Sequence, residues 1–593
     1  MVLRKLLSGI LLLACSFMHS QVTFTELPVN FQLIPRITAN SGTFTVSGKN
    51  LSAGSYHLKS RLVETLNPLT VIEEKTVTTD AMHDFSIQHV IPSQLKEYDL
   101  QIYVFNGLTD SLLQTVERLV CGDYFIICGQ SNALAPENYS DSTNNHRCLR
   151  GIGTNEDPFD SHFPCSYQAM YYRPATAFWL WNGFVGTWGI KLQRDLAEYN
   201  GIPTCIINGA RGGSSIRQNL ASHTPSKPGS IDSCIAYDRL YQKIAHYRLN
   251  TAIKALFWYQ GETDGIFSMD STCEYMNTFD RLYASWKADY PNLEKIILVQ
   301  VNTGCNDKNL AVVREQQRKI SYRYPDIAIM SSFSPDTADR TGDNCHSSFK
   351  GYCKLADNLL PLIKKYIYKE ALDDNKILPP KIVRAYCSTT SQVCLEFDKA
   401  ITVEQYKEYK RNQKAYIKDY FYGEDFSDLN LLSVSATDKN VYLDFATGAK
   451  LPKYVTYLPN SFTKIPTLYT GPWILNAQNT KLTALSFYNY PVAPVNNEKW
   501  IVNNTGPCSK ASITFSDLVA YPNPAKNEIT LSLYETNTHT TIMLIDTQGK
   551  LVLVLKDQNT AFVTLNVSLL ERGLYFLKTD NARGASWKKI IVQ

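Results

Sequence analysis

Four letters, Gly129-Gln130-Ser131-Asn132, follow the apolar run Tyr124-Phe125-Ile126-Ile127-Cys128 and precede a stretch that could open a helix. A serine at a strand-to-helix junction stands clear of the sheet, beside free backbone N–H groups where negative charge could develop. Ser131 is read as a nucleophile on that ground. The tetrapeptide is also an ordinary turn sequence, so the rest of the chain must decide. Three more polar clusters follow strand-like runs: Gly209-Ala210-Arg211-Gly212-Gly213-Ser214-Ser215, Gln260-Gly261-Glu262-Thr263-Asp264 and, past a short loop, Asp343-Asn344-Cys345-His346.

Ester hydrolysis by serine needs a base, an acid to hold that base, and donors aimed at the oxyanion. His346 is the preferred base, because among the ten histidines it alone lies three residues after an aspartate in a polar loop that follows a strand. Asp343 can then reach Nδ1 of His346 from within one turn. The predicted oxyanion hole combines the Ser131 amide, the Gly213 amide and the side-chain N–H of Gln260. Glu262 has two readings, an alternative acid for His346 or a buried structural carboxylate. Asn132, Arg211 and Arg217 are the expected substrate contacts, although either arginine could instead serve a structural ion pair.

Such residues need a scaffold, and the pattern between about 119 and 370 supplies one. Short apolar runs at Tyr124–Cys128, Cys205–Asn208, Ala255–Tyr259, Lys295–Val299 and Ile327–Met330 alternate with helical periodicity at 237–249, 275–289 and 310–324. Alternation of this kind predicts an α/β domain with a parallel sheet, whose sites form beyond the carboxyl ends of its strands. Residues 21–118 and 371–500 show the short alternating runs of β-sandwiches. Residues 501–515 read as a linker, and 516–593 as a small C-terminal β domain.

The net charge of +4, spread along 593 residues, leaves no electrostatic footprint for nucleic acid. Aromatic content of 12% suits sugar-stacking surfaces and β cores alike, so it decides nothing. Residues 1–20 have Arg4 and Lys5 ahead of an apolar stretch shaped like a secretory signal, with Cys15 as an alternative lipidation point. No later segment is apolar for long enough to span a bilayer. Export permits disulfides, and Cys387 with Cys394, Cys148 with Cys165, and Cys345 with Cys353 are the expected local pairs. No zinc signature is present and no cofactor is expected. Residues 140–187 form an aromatic-rich insertion, with Tyr167, Tyr171, Tyr172, Phe178, Trp179, Trp181 and, just after it, Trp188. It reads equally as a sugar-stacking cap or as a small hydrophobic subdomain.

The blocks Gly-Gln-Ser-Asn, Gly-Gly-Ser-Ser, Trp-Tyr-Gln-Gly-Glu-x-Asp and Asp-x-x-His, in this order, resemble those of the SGNH hydrolase superfamily, most closely its sialate O-acetylesterase and acetylxylan esterase branch. The resemblance covers about residues 119–370. It implies a three-layer α/β/α domain and a metal-independent serine esterase acting on an acetylated glycan. Ser131 matches the nucleophile, Gly213 and Gln260 the oxyanion donors, and Asp343 with His346 the rest of the triad. Some relatives have His-Gln-Gly-Glu where this chain has Tyr259-Gln260-Gly261-Glu262, and there the glutamate is assigned a catalytic part. The tail, through Tyr521-Pro522-Asn523-Pro524-Ala525, Ile545 to Lys550, Gly573-Leu574-Tyr575 and Lys588 to Val592, resembles the sorting domain of type IX secretion cargo in Bacteroidetes. That resemblance implies a secreted or surface-attached protein recognised by the secretion machinery. A lipase or thioesterase on the same machinery, and a degenerate hydrolase fold that binds glycans, are the competing readings.

Overall fold

The computed structural model describes residues 22–50, 56–79, 83–105, 109–135, 147–153, 171–174, 184–222, 235–266, 274–303, 309–333, 336, 339, 341, 345–409, 413–461, 469–494, 519–521, 523–532, 540–558, 562–581 and 584–593. Its axis is a 20-residue strand, Asp110–Gly129 (β1). The first half of β1 pairs antiparallel with Tyr98–Phe105 of the N-terminal region. The second half lies between Thr204–Asn208 (β2) and Ile253–Tyr259 (β3), parallel to both. Lys295–Gln300 (β4) and Ile327–Ser331 (β5) continue the parallel order β2-β1-β3-β4-β5. Every residue of β1 from Leu119 onward is buried, whereas most before it are exposed. Burial on both faces is what makes a parallel strand read as a continuous apolar run. The expected domain boundary at 118/119 therefore falls inside one continuous strand. It marks a change of burial, with Arg118 at φ +57°, rather than a break in the chain.

The strands are joined through helices Ser131–Leu134 (α1), Thr187–Asn200 (α2), Ala236–His246 (α3), Glu262–Ile266 (α4), Glu274–Asp289 (α5) and Leu310–Arg323 (α6), and Phe349–Tyr366 (α7) follows β5. The periodicities at 237–249, 275–289 and 310–324 thus become α3, α5 and α6. Tyr283 and Phe279 of α5 pack on Tyr324 just past α6, and Trp286 meets Trp258 of β3 edge-on at 5.3 Å between ring centroids. Trp188 is also wholly buried, edge-on to Phe257 of β3. It belongs to the core and presents no face to a sugar. Tyr167, Phe178, Trp179, Trp181 and Cys165 lie outside the described residues.

The expected hairpin disulfide is not formed: Cys387 and Cys394 are free thiols. Cys394 faces Tyr386 across the hairpin and Cys387 faces Val393, so the two thiols project from opposite sides of the ribbon. Cys148 is a buried thiol, not half of a disulfide with Cys165. Cys345 is disulfide-bonded, but not to Cys353, which is a free thiol.

Residues 382–491 form a further β region with its own core, seated against β4, α6 and the chain that follows β5. Gln300 Nε2 donates to Ser486 O at 3.1 Å and Arg314 Nε to Ser486 Oγ at 2.7 Å. Ser331 and Thr483 share a hydroxyl hydrogen bond at 2.7 Å, and Phe333 packs on Trp473 at 5.2 Å. The C-terminal region, from Val519, has a separate core around Leu531, Leu544 and Leu577. Among the described residues no helix is long and apolar enough to cross a membrane.

In the N-terminal region the two sheets close over His89, which is wholly buried. Its Nε2 lies 2.8 Å from Ser60 Oγ and its Nδ1 2.8 Å from Glu73 Oε2. A neutral ring with its proton on Nδ1 donates to the glutamate and accepts from the serine. Burial holds the His89 pKa below its ordinary value, against the pull of Glu73. A histidine with a depressed folded pKa contributes stability above its unfolded value of about 6.5 that is lost as pH falls. The melting transition of this region is expected to move down between pH 7 and 5, and His89→Phe to flatten that slope; calorimetry of both forms reads it.

Candidate active site

The site begins where β1 runs out. Gly129 has φ +138°, and a Cβ there would lie 2.0 Å from the carbonyl oxygen of Tyr259. Only glycine lets β1 and β3 approach so closely at their carboxyl ends. Gln130 N–H then donates to Tyr259 O at 3.1 Å, and the chain turns into α1, a single helical turn that stops where Ala135 adopts φ +48°. Ser131 is the first residue of that turn. Its Oγ lies 2.9 Å from Nε2 of His346, within hydrogen-bond reach of a general base. Two residues 215 apart in sequence thus meet as a nucleophile and base would.

His346 is held on its backbone. Its carbonyl accepts from Thr341 N and Thr341 Oγ1, both at 3.0 Å. Two residues further, Ser348 caps α7, its side chain accepting from Gly351 N, while Ser348 N donates to Asp339 O. Asp343 lies outside the described residues.

The loop after β2 lies beside α1. Arg211 N donates to Gly129 O at 3.0 Å, and Ser214 N closes a turn on Arg211 O. Gly213, exposed and at φ +65°, is at the tip of that turn. Gln260 is wholly buried behind the loop. Its two amide hydrogens face three acceptors: Ser214 O at 3.0 Å, Gln130 Oε1 at 3.2 Å and Asp264 Oδ2. That amide is committed within the protein, so the hydrogens expected to serve an oxyanion are already taken.

Asn132 was expected to touch substrate but is 1% exposed. It donates to Glu262 Oε1 at 2.6 Å and to Cys345 O at 3.1 Å, and accepts from Tyr352 Oη at 2.9 Å. Glu262 is equally buried. Arg217 is exposed and ion-paired with Glu274, the structural pairing weighed above. Arg211 is half-buried and contributes its backbone to the loop.

Three residues here escaped sequence reasoning. Gln130 accepts from Gly261 N and Thr263 N, capping α4 from another strand. Tyr352 reaches Asn132 from α7. Asp264 accepts from Ile216 N at 2.9 Å, tying α4 to the glycine loop. The spacing of Asp264 after Gln-Gly-Glu was visible, but its tie to the glycine loop is to a backbone amide, which leaves no mark in sequence. Burial raises the Asp264 carboxyl pKa to about 6, although the hydrogen bonds from Gln260 and Ile216 oppose the rise.

Comparison with known proteins gives this arrangement a class. Residues 177–365 match the family described as carbohydrate esterase, sialic acid-specific acetylesterase, a stretch that begins after Ser131 and includes His346. That match supports a hydrolase of the carbohydrate esterase class. Residues 519–593 match the secretion system C-terminal sorting domain, which directs the protein to the cell surface or out of the cell. No curated protein matches the chain. Among solved structures it is similar to a carbohydrate acetylesterase from Xanthomonas citri, at 16% identity and a TM-score of 0.51 over 81% of this chain and 100% of that one. It also aligns with a family two carbohydrate esterase from Cellvibrio japonicus, at 13% identity and a TM-score of 0.25 over 58% of this chain and 98% of that one.

An acid whose folded pKa lies above its unfolded value binds protons more tightly when folded, so stability falls as pH rises through the window between them. For Asp264 that window runs from the ordinary carboxyl range up to about 6. Asp264→Asn removes the titration, and the difference in melting temperature between variant and wild type is expected to shift in the variant's favour from pH 4 to pH 7.

Proposed function

We propose that the protein is a secreted serine esterase that removes O-acetyl groups from glycans. The observation that carries this is the 2.9 Å approach of Ser131 Oγ to His346 Nε2 at the carboxyl end of β1. Ser131 attacks the acetyl carbonyl carbon as its proton passes to His346 Nε2. The tetrahedral intermediate places its oxyanion against backbone N–H groups, for which the Ser131 amide and the Gly213 turn are the proposed donors. Collapse breaks the ester bond, and His346 returns the proton to the departing sugar hydroxyl. Water, deprotonated by the same histidine, then attacks the acetyl-serine, and acetate leaves.

Asp343 is the proposed partner of His346 Nδ1, and the scaffold is the three-layer α/β/α arrangement of the SGNH hydrolases. An acetylated sialic acid is the favoured substrate, and acetylated xylan the alternative within the same chemistry. What supports the first is the sialic acid specificity by which the matched family is described.

Purified mature protein is expected to release acetate from one of these two substrates. Ser131→Ala and His346→Ala are each expected to lower kcat by roughly 10⁴-fold or more while leaving the melting temperature within a few degrees of wild type. Acetate release that survives Ser131→Ala would exclude the acyl-enzyme route. Retained glycan binding without any acetate release would favour a binding protein on an esterase scaffold.

A further inference from the structure

Asn132 is the residue next to the nucleophile, and its carboxamide makes contacts at both ends. One amide hydrogen goes to Glu262 Oε1 at 2.6 Å and the other to Cys345 O at 3.1 Å. Its oxygen accepts from Tyr352 Oη at 2.9 Å and, at the long distance of 3.4 Å, from Ser347 N. Two donors and two lone pairs are the full capacity of an amide side chain. Of the four partners, two are the peptide groups on either side of His346. A third, Tyr352, is on α7, the helix that the histidine loop leads into. The fourth, Glu262, fixes which way the amide faces: its carboxylate takes a hydrogen, so the nitrogen points toward Glu262 and Cys345 O, and the oxygen toward Tyr352 and Ser347.

We infer that Asn132 is a positioning residue that clamps the peptide flanks of His346, and that Glu262 serves catalysis through Asn132 by orienting that clamp. The inference deepens the esterase reading and rests on it. Ser131 Oγ and His346 Nε2 come from distant parts of the chain, and a misplacement of about 1 Å between them is enough to cost on the order of 10²-fold in rate. Placing the clamp one residue from the nucleophile ties the register of base and nucleophile to a single helical turn. Tyr352 completes the clamp.

The test is a double-mutant cycle on full-length protein with p-nitrophenyl acetate, together with hydrogen exchange of the segment Cys345–Ser348. Asn132→Ala and Glu262→Ala are each expected to lower kcat about 10²-fold with little change in KM, and the double variant to be no worse than the poorer single one. Glu262→Gln keeps an oxygen for the Asn132 amide and is expected to stay within about tenfold of wild type, a rescue that marks the role as orientation. Tyr352→Phe, which preserves the ring, is expected to lose about three- to tenfold in kcat. Additive losses in the cycle would overturn the inference. So would a Glu262→Gln variant as slow as Glu262→Ala, which would assign the carboxylate to the imidazole itself, where the amide costs roughly 10⁴-fold. Hydrogen exchange reads the clamp without catalysis. Protection of 345–348 should fall at least tenfold in Asn132→Ala, and unchanged protection would overturn the inference. A wild type inactive on esters, with protection still lost in the variant, would overturn the esterase reading alone.

Discussion

The approach of β1 to its neighbours sets everything else in place. Glycines stand near the start and at the finish of the buried half of that strand. At Gly122 a Cβ would lie 1.7 Å from Pro203 O, just before β2, and at Gly129 it would lie 2.0 Å from Tyr259 O, at the end of β3. In both cases the obstacle is backbone, which cannot move aside as a flexible side chain can. The strand is therefore seated against its neighbours at its start and at its finish, and the chain leaves the sheet at one defined point. Gln130, Ser131 and Asn132 inherit their positions from that exit. Gln130 caps α4, Ser131 faces His346, and Asn132 holds the loop on which His346 rides. Each letter of the tetrapeptide has a separate physical task, which is why the run is more informative than its turn-like composition suggests.

The parallel strands and three helices were legible because burial on two faces and helical periodicity are properties of single segments. Ser131 and His346 could be singled out because each follows a strand-like run in a polar cluster, and the structure brings the two within hydrogen-bond distance. The contacts of Asn132 with Tyr352, of Gln130 with Thr263 and of Asp264 with Ile216 were not legible, because they span 48 to 220 residues and end on a backbone amide or on a tyrosine without a motif. Gln260 shows the opposite failure. Its residue type is right for an oxyanion donor, yet the hydrogens are taken by Ser214 O, Gln130 and Asp264, and sequence carries no account of which donors are already satisfied. The cysteines failed for a geometric reason. Six residues lie between Cys387 and Cys394 around a turn, a spacing that invites a bridge, but the register across the hairpin sends the two thiols to opposite faces.

The β region after residue 380 reads from sequence as an independent module, and in structure it is part of the scaffold of the site. Its seam with the esterase domain buries polar groups that find partners across it. Arg314 donates to Pro459 O at 2.7 Å and to Ser486 Oγ, and Gln300 exchanges hydrogen bonds with the backbone of Ser486. Glu315, held ionised against burial by Arg318 and Lys319, accepts from Tyr488 N. A buried polar group without a partner costs about 1–3 kcal/mol, so a seam of this kind specifies one docking geometry even where each hydrogen bond adds little net stability.

That geometry bears on the base. The chain leaves β5 at Ser331, whose hydroxyl meets Thr483, and Phe333 then packs on Trp473, both belonging to the second β region. From there it runs to His346 and is caught again at Cys345 and Ser347 by Asn132. The arm that carries the histidine is thus anchored at its start by a region outside the parallel sheet and at its end by Asn132, the residue beside Ser131. Asp339, whose carbonyl accepts from Ser348 N and whose carboxylate pairs with Lys354, adds a hold between the two anchors. The separation of Ser131 from His346 accordingly depends on the second β region as well as on the parallel sheet, and a truncation that spared every residue of the sheet but removed that region would loosen the segment carrying His346 from one side.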